Sequence, residues 1–165
     1  MISELKKVQD ELRKQNLFTG KFTEENNIHL TLKFLGSISN DMVIKVNDRL
    51  KGVKSSSFES NIDELGIFSE DFIRIIWTKL NGNEVFDLQK NIDDKLVDFF
   101  PKEERFMSHI TIARVKSIKD KPPLFDALRK IKINIKGRIT SFSLMRSVLV
   151  PSGPIYETIE KYELR

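Results

Sequence analysis

Apolar residues recur along this chain at two periods, and the switches between those periods mark out its elements. From Met1 to Gln15 the spacing of Ile2, Leu5, Val8 and Leu12 predicts an amphipathic helix. Ile28 to Leu35 alternates apolar and polar positions and reads as a strand stopped by Gly36. Ser39 or Asn40 can cap a second helix whose buried stripe is Met42, Val43, Val46 and Leu50. After the polar connection Lys54-Ser55-Ser56-Ser57, the stretches Phe58 to Phe68 and Phe72 to Leu80 read as strands joined by a tight polar turn at Ser69-Glu70-Asp71. Asn81-Gly82-Asn83 is a turn signal. Glu84 to Phe100 then returns to the helical period, with Val85, Leu88, Ile92, Leu96 and Phe99 inward, and Pro101 ends it. His109 to Val115 is a strand, and Lys121-Pro122-Pro123 opens a short helix to about Ile131. Ile133 to Val150 reads as one long bent strand, or as two interrupted near Ser141 to Ser143. Pro151-Ser152-Gly153-Pro154 is a turn, and Ile155 to Leu164 is the last strand.

The order helix, strand, helix, paired strands therefore occurs twice. Ile28-His29-Leu30-Thr31-Leu32 in the first half matches Ser108-His109-Ile110-Thr111-Ile112 in the second, 80 positions on, and Ser37-Ile38 matches Ser117-Ile118. This is the pattern of an internal duplication around a pseudo-twofold axis, with the two motif strands facing each other. Its period is too long for a solenoid. The chain has two histidines, and both lie in these frames. Alternation puts His and Thr of each motif on one face, with the aliphatic residues on the other.

Composition narrows the chemistry. There is no cysteine, so neither a disulfide nor a thiolate metal site can form, and a reducing cytoplasm suits the chain. Two histidines fall short of the three protein ligands usual for catalytic zinc, so no metal and no cofactor are expected. No apolar run reaches the ~18 residues of a membrane span, and the charged N-terminal helix lacks a signal-peptide core. The net charge of +4 is local: residues 1–100 carry 14 basic and 17 acidic side chains, residues 101–165 carry 14 and 7. Nine basic residues between Arg114 and Arg138, against two acidic ones, form a sector suited to a polyanion, nucleic acid first.

Two imidazoles can hold one proton between them, one taking a proton from an attacking water while the other protonates a departing oxygen. His29 and His109 are the candidate catalytic pair. The hydroxyls of Thr31 and Thr111 can donate to phosphoryl oxygens, and Arg114 can offer a bidentate fork. Strict alternation sets Arg114 on the opposite face from His109, with Ile110 and Ile112. Either the strand twists or bulges near Ala113, or Arg114 lies outside the site. Lys33 shares the face of His29 and Thr31 and reads as a rim cation. Trp77 and Phe99-Phe100 read as core, and Tyr156 either stacks on a base or packs.

The stretches His29-Leu30-Thr31-Leu32-Lys33-Phe34-Leu35-Gly36 and His109-Ile110-Thr111-Ile112-Ala113-Arg114-Val115-Lys116 resemble the paired motifs of the two-histidine (2H) phosphoesterases, and within them the RNA 2′,3′-cyclic phosphodiesterase, or 2′-5′ RNA ligase, family. Pro151-Ser152-Gly153-Pro154-Ile155-Tyr156-Glu157 resembles that family's C-terminal element. The resemblance implies an α+β fold over residues 1–165, a single bilobal domain with two antiparallel sheets around a central cleft and helices outside. It implies metal-free opening of an RNA 2′,3′-cyclic phosphate to a 2′-phosphate. His29 would donate the proton to the leaving 3′ oxygen and His109 would activate water. Thr31, Thr111 and Arg114 would hold the phosphate, which argues for the twist or bulge. Lys33, Lys116 and Tyr156 are candidate RNA contacts. Family members usually open with an apolar strand ahead of the first helix, whereas this chain opens in the helix, so an open sheet edge is expected.

The expected partner is RNA with 2′,3′-cyclic phosphate ends, tRNA fragments among them, met by a cytoplasmic monomer. Two other activities fit the same motifs: a nucleotide 2′,3′-cyclic phosphodiesterase and a 2′-5′ RNA ligase. A reading of another class is a noncatalytic RNA-binding module that uses the basic sector alone.

Overall fold

In the computed structural model, which describes residues 1–151 and 153–165, hydrophobic periodicity becomes four α-helices and seven strands. They fall into two units, each assembled from three stretches of chain.

The first unit comprises residues 1–30, 60–81 and 108–137. It contains α1 (Ile2–Gln15), β1 (Phe18–Phe22), most of β2 (Phe58–Ile67), β3 (Ile75–Leu80), β4 (His109–Ile118), α4 (Lys121–Lys130) and most of β5 (Ile135–Ile139). The five strands form one sheet in the order β1-β4-β3-β2-β5. Along β3 the side chains of Ile76, Thr78 and Leu80 are buried, and they share a face with Ile110 and Ala113 of β4. α1 buries Leu5, Val8, Gln9 and Leu12, and α4 buries Leu124, Ala127 and Leu128. Each fully buried Leu or Val contributes roughly 1.5–3 kcal/mol.

On its other face β3 presents Trp77, paired across the ladder with Gly66 of β2. A Cβ at Gly66 would lie 2.5 Å from the Trp77 indole, so glycine is what lets the ring lie flat across β2. Gly66→Ala is expected to cost about 1–3 kcal/mol through this overlap, checked by urea unfolding of the two proteins.

The second unit comprises residues 31–59, 82–107 and 138–165. It contains α2 (Asn40–Leu50), α3 (Asn83–Leu96), β6 (Ser141–Val150) and β7 (Gly153–Glu163), the two strands pairing antiparallel as a separate sheet. Ser39 caps α2, its hydroxyl accepting from the Met42 amide at 3.2 Å. Phe142 stacks on Tyr162 with ring centroids 4.7 Å apart, and the Tyr162 hydroxyl donates to Asn47 Oδ1 at 2.6 Å. Burial, then the charges of Glu160 and Asp48, push the Tyr162 phenol up to about 12, so it stays a donor.

Three expectations need correction. Ile28–Leu35 is not a strand: burial alternates only from Ile28 to Leu32, the backbone bends at Leu32, and among the described residues the segment carries a single bridge, Leu30 to Ile110. Beyond Leu30 the segment has no ladder partner among the described residues. The β2–β3 connection is not a three-residue turn but spans residues 68–74, because Ile73 is buried and Arg74 already pairs with β4 through its carbonyl, which accepts from the Val115 amide at 2.8 Å. The helix expected to reach Phe100 ends at Leu96, whose carbonyl accepts from the amides of both Phe99 and Phe100 at 2.9 Å. One strand, β1, has no clear sequence signature. Of the turn over residues 151–154, Ser152 lies outside the described residues.

Candidate active site

β4 is the spine of the site. Its register with β3 pairs His109 with Lys79, Thr111 with Trp77, and Arg114 with Ile75. Lys79, Trp77 and Ile75 alternate along β3 and so share one face. Directly opposed residues in an antiparallel ladder also share a face. His109, Thr111 and Arg114 therefore project together, although His109 and Arg114 are five positions apart.

A bulge reconciles the spacing. The register slips between Ile76–Ala113 and Trp77–Thr111, leaving Ile112 as the extra residue of β4. Burial records the same slip: Ile110, Ile112, Ala113 and Val115 are buried, while Arg114 is exposed. Inward residues are adjacent at 112 and 113, and alternation resumes one step out of phase. Of the two alternatives left open by the sequence, the chain adopts the bulge.

His29 joins this face from the neighbouring segment. The Leu30–Ile110 bridge is antiparallel and aligns Leu30 with the inward side of β4. Ile28 is buried, His29 exposed and Leu30 half-buried, so alternation turns the His29 ring to the face of His109 and Thr111. Just upstream, a single turn of 3₁₀ helix, Glu25–Asn27, presents the Asn27 carbonyl to the ring. His29 Nδ1–H donates to that oxygen at 2.7 Å. This hydrogen bond orients the ring and places a proton on Nδ1.

His109 is held differently. It lies within the ladder, and the adjoining Ser108 carbonyl accepts from the Leu80 amide at 2.8 Å. The Phe68 ring meets the imidazole edge-on, with centroids 5.0 Å apart and planes at 83°, and itself leans on Trp77 at 5.8 Å. Phe68 was read from the sequence only as the end of a strand. Its contact with His109 is made across β3, and no local pattern announces it.

The remaining candidates separate. Thr31 follows the bridge at the start of the second unit and is exposed. Lys116 is an exposed residue of β4, its carbonyl accepting from Arg74 at 3.1 Å. Tyr156 is half-buried in β7, opposite Ser147. Lys33 is the correction: it is no rim cation. Its side chain is 7% exposed, ion-paired with Asp93 of α3, and donates to the Pro101 carbonyl at 2.7 Å. A buried carboxylate draws the ammonium inward, because an unpaired charge there would be costly. Trp77, expected in the core, is 5% exposed.

Comparison with known proteins places the chain among its relatives. Residues 2–77 and 80–156 match the model of the LigT like Phosphoesterase family, with one His-x-Thr motif in each stretch. A protein of Methanocaldococcus jannaschii named RNA 2′,3′-cyclic phosphodiesterase is 31% identical over 163 residues, covering 96% of this chain and 91% of the relative. A relative of the same name from Methanothermobacter thermautotrophicus is 32% identical over 167 residues, covering 96% and 89%. A solved structure from Thermus thermophilus superposes with a TM-score of 0.82 at 21% identity, covering 99% of this chain and 91% of that one. E. coli LigT complexed with 3′-AMP gives 0.75 at 18% identity, covering 96% and 91%. The two structures speak for the α+β fold. Kinship rests on the family match and on identity sustained over nearly the whole chain, and by both measures this protein belongs to the LigT-like phosphoesterases of the 2H superfamily.

Proposed function

We propose that this chain is an RNA 2′,3′-cyclic phosphodiesterase that works in the cytoplasm as a monomer on RNA ends, cleaved tRNA among them, through His29 and His109 as its acid–base pair. The observation that carries the proposal is the shared face of His29, His109, Thr111 and Arg114. Names carried by relatives at about 30% identity support the substrate class. Residues 1–165 act in this scheme as one bilobal domain, which a family match running through both units supports.

In the reaction, a water oxygen bonds to phosphorus and the bond from phosphorus to O3′ breaks. His109 takes a proton from the water. His29 gives its Nε2 proton to O3′ and keeps its Nδ1–H on the Asn27 carbonyl. Thr31, Thr111 and Arg114 hold the non-bridging oxygens, the guanidinium supplying a bidentate fork. Lys116 and Tyr156 are proposed RNA contacts. Among the described residues, no helix is long and apolar enough to cross a membrane.

The test is phosphorus NMR of an oligonucleotide ending in a 2′,3′-cyclic phosphate, incubated with the protein in EDTA. A 2′-phosphomonoester is the expected product. RNA binding that is intact and salt-dependent, without turnover of any cyclic phosphate, would mean a binding module instead, and turnover abolished by EDTA would remove the two-histidine mechanism.

A further inference from the structure

Gln9 occupies a place that the helical stripe of α1 reserves for an apolar side chain. It lies one residue after Val8, three before Leu12 and four after Leu5, and is 4% exposed. A buried primary amide needs partners, since an unmet donor costs about 1–3 kcal/mol. Gln9 Nε2 finds two: it donates to the Thr23 carbonyl at 2.9 Å and to the Ile112 carbonyl at 2.8 Å.

Ile112 is the bulged residue of β4. Its carbonyl also accepts from the Thr23 amide at 2.9 Å, so both lone pairs are engaged from the side away from β3. Two residues later, β1 closes on the strand: a Cβ at Gly20 would lie 2.1 Å from the Arg114 carbonyl oxygen. The backbone on either side of Ala113 is thereby held in the one path that puts Ala113 inward and Arg114 outward.

We infer that Gln9 is a positioning residue for Arg114, pinning the Ile112 carbonyl and with it the bulge that turns the guanidinium to the face of His109 and Thr111, a role that rests on the proposed reading of Arg114 as a phosphate-binding group. Gln9 touches no reacting atom. Its effect is geometric, and a misplacement near 1 Å at a phosphate clamp can cost on the order of 10²-fold.

A double-mutant cycle tests this. kcat and KM on a cyclic-phosphate-ended oligonucleotide would be measured for the native chain, Gln9→Met, Arg114→Ala and the double variant, with inorganic phosphate affinity titrated in parallel. Gln9→Met keeps length and volume but donates nothing. It is expected to lower kcat/KM about 10–100-fold and to weaken phosphate binding, while in the Arg114→Ala background it costs less than about threefold. An equal loss in both backgrounds, or no loss beside a damaging Arg114→Ala, overturns the role of Gln9 and leaves the active-site reading standing. An Arg114→Ala protein with unchanged kcat/KM and phosphate affinity would instead remove the reading of Arg114 itself, and the role of Gln9 with it. If Gln9→Met melts below the assay temperature, Gln9→Asn, whose amide falls one methylene short of both carbonyls, takes its place in the same cycle under the same criteria.

Discussion

Replacing either histidine with alanine is expected to lower turnover by about 10²–10⁴-fold, the usual contribution of a positioned acid or base, with phosphate affinity changed only a few-fold. His29→Ala removes the group whose Nδ1–H is seated on the Asn27 carbonyl. His109→Ala removes the ring seated against Phe68. The two act on one proton transfer cycle, so the double variant should fall little below the worse single variant. Single-turnover rates of the native protein, the two single variants and the double variant would show it. Less than about tenfold loss in either variant would remove that histidine from the acid–base pair.

Asp93→Ala is expected to destabilise the protein by about 3–5 kcal/mol, a large share of the roughly 5–15 kcal/mol typical of a folded domain. Asp93 accepts from Lys33, from Gln89 at 2.7 Å and from the Glu103 amide at 2.9 Å, so one substitution takes an acceptor from three donors around a side chain 4% exposed and leaves the Lys33 charge without its counter-ion. Lys33→Met leaves Asp93 two of its donors and is expected to cost less. Lys33→Met combined with Asp93→Leu recovers much of the loss, because no charge is then left buried. Burial pushes the Asp93 carboxyl up. The hydrogen bonds from Lys33, Glu103 and Gln89, with the Lys33 charge, outweigh it and hold the group below its ordinary 3.8. A lowered folded value stabilises above the ordinary pKa, so this contribution is whole above about pH 4 and is lost as the pH falls through the lowered value. Urea unfolding at pH 7 and pH 3 would register it: the gap between native and Asp93→Asn proteins narrows in acid. RNA affinity and its salt slope should not change in Lys33→Met. A steep fall in either would restore Lys33 to the RNA surface.

Much of this architecture could be read in advance, and the failures have physical causes. The helices were legible because most positions of their buried stripes are apolar, and β4 because it alternates on either side of the bulge. Even the bulge left a trace: Ile110, Ile112, Ala113 and Val115 are apolar, a pattern that steps out of phase where two apolar residues adjoin. Gln9, too, was detectable as a polar residue in an apolar stripe. What local pattern could not give was anything set by pairing across the sheet. Phe18–Phe22 escaped as β1 because Phe18 is its one buried side chain. The first motif looked as strand-like as the second, yet strand status depends on partners, and it has one bridge. Alternation set Lys33 with the exposed His29 and Thr31, but the backbone bends at Leu32 and the side chain is buried against Asp93, 60 residues away, which no local pattern announces.

The unequal anchoring of the two imidazoles decides which fails first when the protein is warmed. His109 belongs to a strand laddered to β3 along its N-terminal half and to β1 along its C-terminal half. The segment bearing His29 joins that sheet through the Leu30–Ile110 bridge, with the His29 ring on the Asn27 carbonyl, and farther along it Lys33 is held by Asp93 and the Pro101 carbonyl. Opening residues 28–31 alone breaks fewer ladder bonds than melting β4 and lies lower in free energy. Heat is therefore expected to loosen His29 before β4 melts, and attempts to make the protein more heat-tolerant should begin at residues 28–31, upstream of the buried Lys33, rather than in the interior.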